Sequence, residues 1–163
     1  MLAADELGSV FPVVEVLAAN RFSDACIVRI KGGHLKPLPL NTNIGPGDTV
    51  YCLSDPVGRR GFFSKGIVNR FFQLEAMRLP YEPGAPLFAP VRIEVSCQWG
   101  SGSSGAAVLD DCGNAIGHVS TVSGPAEQGP SDAKAAEETF PSAIVFHQAT
   151  SARDVRALVR KDK

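Results

Sequence analysis

The chain has 163 residues, 44% of them apolar and 20% charged, with a formal net charge of −1, enough for one domain with a sizeable core or two small ones. So small a net charge gives no field for a polyanion, which excludes nucleic acid or an anionic lipid surface as the main partner unless a local patch exists. The basic cluster at the end, Arg153, Arg156, Arg160, Lys161 and Lys163, is interrupted by Asp154 and Asp162 and reads as a solvated helix end.

Sixteen Gly and twelve Pro against one Trp point to many turns and short strands, hence an all-β domain. Met1 to Asn20 has no basic leader region and carries Asp5 and Glu6. No apolar run reaches the ~20 residues of a membrane helix, so the chain as written is expected to be neither exported nor anchored. Phe11 to Ala19 and Ala25 to Ile30 are β-branched apolar runs separated by the polar stretch Asn20 to Asp24, the pattern of a hairpin. Lys31 to Gly47 is rich in Gly and Pro and reads as a connection between two packing units. Further strands are expected at Asp48 to Leu53, Phe62 to Phe72, Val91 to Cys97, Ala106 to Leu109, Ala115 to Val122 and Ala143 to His147, a barrel or sandwich. Leu79 to Pro90 reads as a loop and Ser123 to Ser142 as a surface insertion. Ser151, with Asp154 three residues on and Val155, Leu158 and Val159 at helical spacing, predicts an N-capped final helix.

Cys26, Cys52, Cys97 and Cys112 contain no C-x-x-C pair, so no metal site is expected. They allow several disulfide pairings, yet two fall in apolar strand-like runs, where free buried thiols are common. The compartment stays undecided on these residues.

Gly100 to Leu109 reads GSGSSGAAVL, a Gly-Ser loop entering an apolar strand. Flanking glycines let such a loop present the Ser104 hydroxyl and aim successive N–H groups at one spot, as an oxyanion hole requires; as a plain pattern it is also an ordinary turn. The run from Ser104 through Leu109, with Asp110 to Gly117 after it, is similar to the nucleophile strand G-x-S-G-G-P-L and following V-I-G-I strand of the HtrA/Deg branch of trypsin-like serine proteases. Ser103 stands in place of Asn or Asp there, and Ala106 and Ala107 in place of Gly and Pro. Asp24 to Ile30 resembles the family's triad-aspartate strand, Gly47 to Gly58 its G-D-x-V-x-x-I-G-x-P-x-G segment, and Lys65 to Asn69 its G-I-V-S strand. These segments occur in family order from about Phe11 to Val159.

The resemblance implies a trypsin-like double β-barrel: residues 1–33 a remnant of the first barrel, 34–47 the inter-barrel connection, 48–150 a complete second barrel and 151–163 a C-terminal helix. It implies Ser104 as nucleophile, Asp24 as the acid that orients a histidine, and an oxyanion hole from the N–H groups of Gly102 and Ser104. Ser120 corresponds to the serine that hydrogen-bonds the triad aspartate. Gln98 and Trp99 fall at the base of the specificity pocket, and His118 to Val122, with Thr121 and Val122, form a wall. A neutral Gln98 argues against a preference for Lys or Arg at the cleavage site. No cofactor is implied; the partner is a polypeptide substrate or a peptide ligand, and the oligomeric state is not given. The family's usual PDZ domain has no counterpart, and an extracytoplasmic location follows only by analogy.

The family's triad histidine lies upstream of the aspartate, yet none of the residues before Asp24 is histidine. His34 falls in the connection, His118 on the strand after the nucleophile, facing as Ser120 does, and His147 before the last helix. No motif supports any of them as a base. A serine hydroxyl without a positioned base is a poor nucleophile, so the polypeptide alone is expected to lack significant peptidase activity. Two readings stand: an endopeptidase whose histidine is encoded before Met1, and a catalytically dead peptide-binding module. The α/β-hydrolase elbow G-x-S-x-G is not met, since Ala106 stands two residues after Ser104.

Overall fold

The computed structural model describes residues 2–4, 9–33, 35–73, 90–123 and 145–159. The first apolar runs form a hairpin, β2 (Val10–Asn20) with β3 (Ala25–Ile30), and a short β1 (Leu2–Ala4) adds to the outer side of β2. The sequence suggested two strands here; three residues are too short a run to show an alternating pattern. This antiparallel sheet, ordered β1-β2-β3, stays open. Two register shifts in the β2–β3 ladder break the alternation of β2, and Val10, Val14, Val16 and Leu17 are left exposed.

The remaining strands close on themselves. β4 (Thr49–Ser54), β5 (Phe62–Gln73), β6 (Val91–Val95), β7 (Ala107–Leu109), β8 (Ala115–Ser123) and β9 (Phe146–Ser151) form a barrel in the order β4-β5-β6-β9-β8-β7. Period-2 patterning turns Val50 and Cys52 of β4 inward against Val68, Ile93, Val95, Val108, Ile116, Val119 and Ala149, the core of the molecule. Closure brings backbones close at Gly117, where a Cβ would lie 2.2 Å from the Thr150 carbonyl oxygen, so only glycine lets β8 and β9 pair.

The last strand, expected over 143–147, runs on past His147 to Ser151 as Phe146–Ser151, because pairing with both β6 and β8 carries the chain up to the helix start; residues 143–144 lie outside the described residues. Helix α1 (Ala152–Leu158) then begins with the Ser151 hydroxyl accepting from the Arg153 N–H at 3.1 Å. The expected loop at 79–90 and insertion at 123–142 lie outside the described residues, apart from Pro90 and Ser123. The connection is tied to the barrel by Asn41 and Ala115: the Asn41 N–H donates to the Ala115 carbonyl and the Ala115 N–H to the Pro39 carbonyl.

Candidate active site

The Gly-Ser loop between β6 and β7 is organised by its smallest residues. Gly102 (φ 95°) and Gly105 (φ 83°) hold left-handed dihedrals on either side of the serine pair. Ser103 is buried and donates to Ser54 Oγ at 3.0 Å, while Ser104 is exposed at the tip. The loop is therefore anchored through one serine and presents the other.

Peptide groups are planar and trans, so a pinned carbonyl fixes the opposite direction for the N–H of the same unit. The Ser101 carbonyl accepts from the Val57 N–H at 2.7 Å, and the Ser103 carbonyl accepts from the Ala106 N–H at 3.0 Å. The N–H groups of Gly102 and Ser104 belong to those two units, and neither has a hydrogen-bond partner among the described residues. Both donors lie within two residues of the exposed Ser104 hydroxyl in the chain; donors that converge beside a serine hydroxyl are what a developing oxyanion requires.

Asp24 ends the β2–β3 turn. That turn is built by Asn20, whose Oδ1 accepts from the N–H groups of Phe22 at 2.9 Å and Ser23 at 3.3 Å, and Asp24 itself takes a φ of 54°. The Ser120 hydroxyl donates to Asp24 Oδ2 at 2.7 Å. The β8–β9 register shifts between Val119 and Thr121, leaving Ser120 as the extra residue of a bulge that turns it to Asp24. The Gly-Ser loop reaches the same stretch of β8, since the Gly105 N–H donates to the Val119 carbonyl and the Val119 N–H to the Ala106 carbonyl.

One residue here gave no signal in the sequence. Arg92 on β6 is 5% exposed, and its guanidinium donates to the Ser23 carbonyl at 2.8 Å, to the Phe22 carbonyl at 3.4 Å and to Thr150 Oγ1. Burial pulls it below the ordinary arginine value, opposed by the charges of Asp24 and Asp154. An arginine inside an alternating strand run reads as surface unless its partners are known.

The two described histidines are otherwise engaged. His118 Nε2 lies 2.9 Å from the Asp24 main-chain carbonyl, which can only accept, so this nitrogen carries the proton. His147 is buried edge-on to Trp99, ring centroids 5.2 Å apart, and burial lowers its pKa. His34 lies outside the described residues.

Of the expected pocket residues, the structure brings Trp99 and Thr121 together. Gln98 and Val122 are exposed, and Thr121 Oγ1 donates to Gln148 Oε1 at 3.1 Å. Trp99 turns into the core and donates its indole N–H to the Thr121 carbonyl at 3.2 Å, so it braces the wall strand from within. An open cavity of about 470 Å³, lined by Thr42, Arg153, Arg156 and Ala157, includes none of these residues. Ligand atoms of Asp110, Asp111 and Cys112 lie within 4.8 Å of one another. The Asp110 oxygens, however, already accept from Cys112 N, Asn114 N, Asn114 Nδ2 and Asn41 Nδ2, which leaves a poor donor set for a cation.

All four cysteines are free, Cys52 and Cys97 buried, Cys26 and Cys112 exposed. Among the described residues no helix is long and apolar enough to cross a membrane.

Residues 4–117 match the family model described as a trypsin-like peptidase domain. No curated protein matches the chain. Among solved structures, the chain is similar to the HtrA-type protease AlgW with decapeptide at TM-score 0.67 and 18% identity, over 96% of this chain and 42% of that one. It is similar to the serine endoprotease from Yersinia pestis at TM-score 0.63 and 14% identity, over 96% of this chain and 46% of that one. An inactive serine-to-alanine form of Rv3671c from M. tuberculosis H37Rv matches at TM-score 0.65 and 15% identity, over 92% of this chain and 64% of that one. The chain thus spans 42% to 64% of the length of these structures.

Proposed function

Because the chain belongs to the trypsin-like peptidase family, we propose that it carries the nucleophile, oxyanion cradle and acid of a serine endopeptidase acting on extended polypeptides. The observation that carries this reading is the pair of N–H groups, Gly102 and Ser104, without a partner among the described residues and within two residues of the exposed Ser104 hydroxyl in the chain. In this reading Ser104 Oγ attacks the scissile carbonyl carbon, and its proton passes to a base. The oxyanion sits on the two N–H groups, worth about 10²–10³ in rate per donor. The base then protonates the leaving amine as the C–N bond breaks, and water releases the acyl group from Ser104 by the same route. Asp24, held by Ser120, is placed to orient and stabilise that base.

Among the described histidines, His118 engages the Asp24 carbonyl and His147 is buried, and neither hydrogen-bonds to Ser104. In this reading the polypeptide by itself lacks significant peptidase activity. Its remaining capacity is to bind. Among the described residues, β8 beyond Val119 has ladder pairing only with β9, and an extended peptide can add along its other side. AlgW, one of the similar structures, was solved with a decapeptide, which supports a peptide as the ligand. The exposed neutral Gln98 disfavours Lys or Arg at the cleavage position.

The test uses an activated p-nitrophenyl ester, with and without imidazole as a diffusible base, followed by mass analysis of the Ser104 peptide. Slow acylation of Ser104, accelerated by imidazole and lost in Ser104→Ala, is expected, with no hydrolysis of casein. Rapid casein hydrolysis abolished by Ser104→Ala would overturn the inactivity; acylation elsewhere would overturn the assignment of Ser104.

A further inference from the structure

The turn that ends in Asp24 belongs to the open sheet, whereas Ser120 and the nucleophile loop belong to the closed barrel. The open sheet leaves valines exposed, and at the rim two contacts from β8 hold Asp24: the Ser120 hydroxyl on its carboxylate and His118 Nε2 on its main-chain carbonyl. Below that rim a buried polar joint crosses the boundary. The Ser23 carbonyl, next to Asp24, receives both Arg92 Nη1 at 2.8 Å and Thr150 Oγ1 at 2.7 Å, while Arg92 also reaches the Phe22 carbonyl and Thr150 Oγ1. Arg92, Ser23 and Thr150 are all buried, with Thr150 fully so.

An arginine removed from water is retained only when its donors are satisfied, and a planar fork can bridge two main-chain carbonyls and a hydroxyl at once. Its charge also faces Asp24 and Asp154, and Asp154 Oδ2 accepts from the Val91 N–H at 2.8 Å, which ties α1 to the same strand. We propose that Arg92 is a positioning residue: from the barrel core it clamps the Phe22 and Ser23 carbonyls and so fixes where Asp24 stands against Ser120. The clamp concerns backbone geometry and holds whether or not a base is present; its catalytic meaning rests on the reading of Asp24 as the acid.

The experiment is native-state amide exchange on the full chain, reading the N–H groups of Phe22, Ser23 and Asp24 against barrel amides such as Val119 and Asp110. In Arg92→Met the turn amides are expected to exchange at least tenfold faster while the barrel amides stay within about twofold. Arg92→Lys, able to reach one carbonyl, should restore part of the protection, and Thr150→Val, which keeps the guanidinium, should lose less. Equal acceleration of turn and barrel amides, or an unchanged turn, overturns the clamp; if Arg92→Met does not fold, Arg92→Lys and Thr150→Val decide by the same comparison. A second readout separates the clamp from the reading of Asp24. Arg92→Met should lose the imidazole-dependent acylation of Ser104 and keep the imidazole-independent part. If Asp24→Asn leaves the imidazole effect intact, the role of Asp24 fails while the exchange result stands.

Discussion

Val57 donates its backbone N–H to the Ser101 carbonyl at 2.7 Å, and this bond sets the direction of the Gly102 N–H. Two loops distant in sequence meet closely here, since a Cβ on Gly102 would lie 2.9 Å from the Asp55 carbonyl oxygen. Gly102→Ala must therefore both leave its left-handed φ and push the 55–58 loop away. We expect about 1–3 kcal/mol of lost stability and a drop in Ser104 acylation. Gly105→Ala, with open space around its Cβ, should show only the dihedral penalty of about 1 kcal/mol. Urea denaturation of the two variants, compared with their ester acylation rates, checks the difference; equal effects would remove the Asp55 contact from the argument.

Ser103 and Ser104 are neighbours with opposite assignments. Ser103→Ala deletes the buried bond to Ser54 and the acceptor of the Gly100 N–H, at about 1–2 kcal/mol. Ser104→Ala, at an exposed position, should change stability by less than about 0.5 kcal/mol. Only Ser104→Ala should leave no acylated peptide when stability and mass analysis are run side by side.

His147 predicts a pH dependence with a definite sign. Burial lowers its pKa from the ordinary 6.5, so the unfolded chain binds the proton more readily than the folded one. Its contribution to stability is intact above about pH 6.5 and is lost progressively as the pH falls from there toward the lower folded value. In His147→Phe, which keeps an aromatic edge against Trp99, this part of the pH slope should flatten in thermal unfolding between pH 7.5 and 5. A slope unchanged in the variant would assign it to other groups.

The four thiols should react in a definite order. Burial pushes Cys97 to about 11 and also raises Cys52, whereas Cys26 is exposed. Cys112 is exposed too, but a hydrogen bond to Asp111 and the charges of Asp111 and Asp110 raise its pKa. Iodoacetamide at pH 7.5 should label Cys26 first, Cys112 more slowly, and Cys52 and Cys97 only after unfolding, as read by peptide mass. Early labelling of Cys97 in the native protein would contradict its place in the core.

By itself the sequence determined what is local. Alternation placed β2, β3 and the strands from β4 to β8 within a few residues, because side-chain direction along a strand follows a period of two. The Gly-Ser composition marked the loop of Ser104, since only glycine takes its dihedrals freely. Ser151 marked the helix start because a cap is a contact between near neighbours. The end of the last strand was placed short, at His147, because pairing with β6 and β8, rather than the apolar pattern of the strand itself, carries β9 on to Ser151. Only the tertiary structure decided which way the Ser101–Gly102 and Ser103–Ser104 peptide units point, that Trp99 faces the core, and that Arg92 is buried beneath Asp24. Those outcomes depend on closing the barrel and docking the open sheet against it. Docking brings Ser23 against Thr150 and closure brings Val57 against Ser101, and no property of any of these residues alone encodes those meetings.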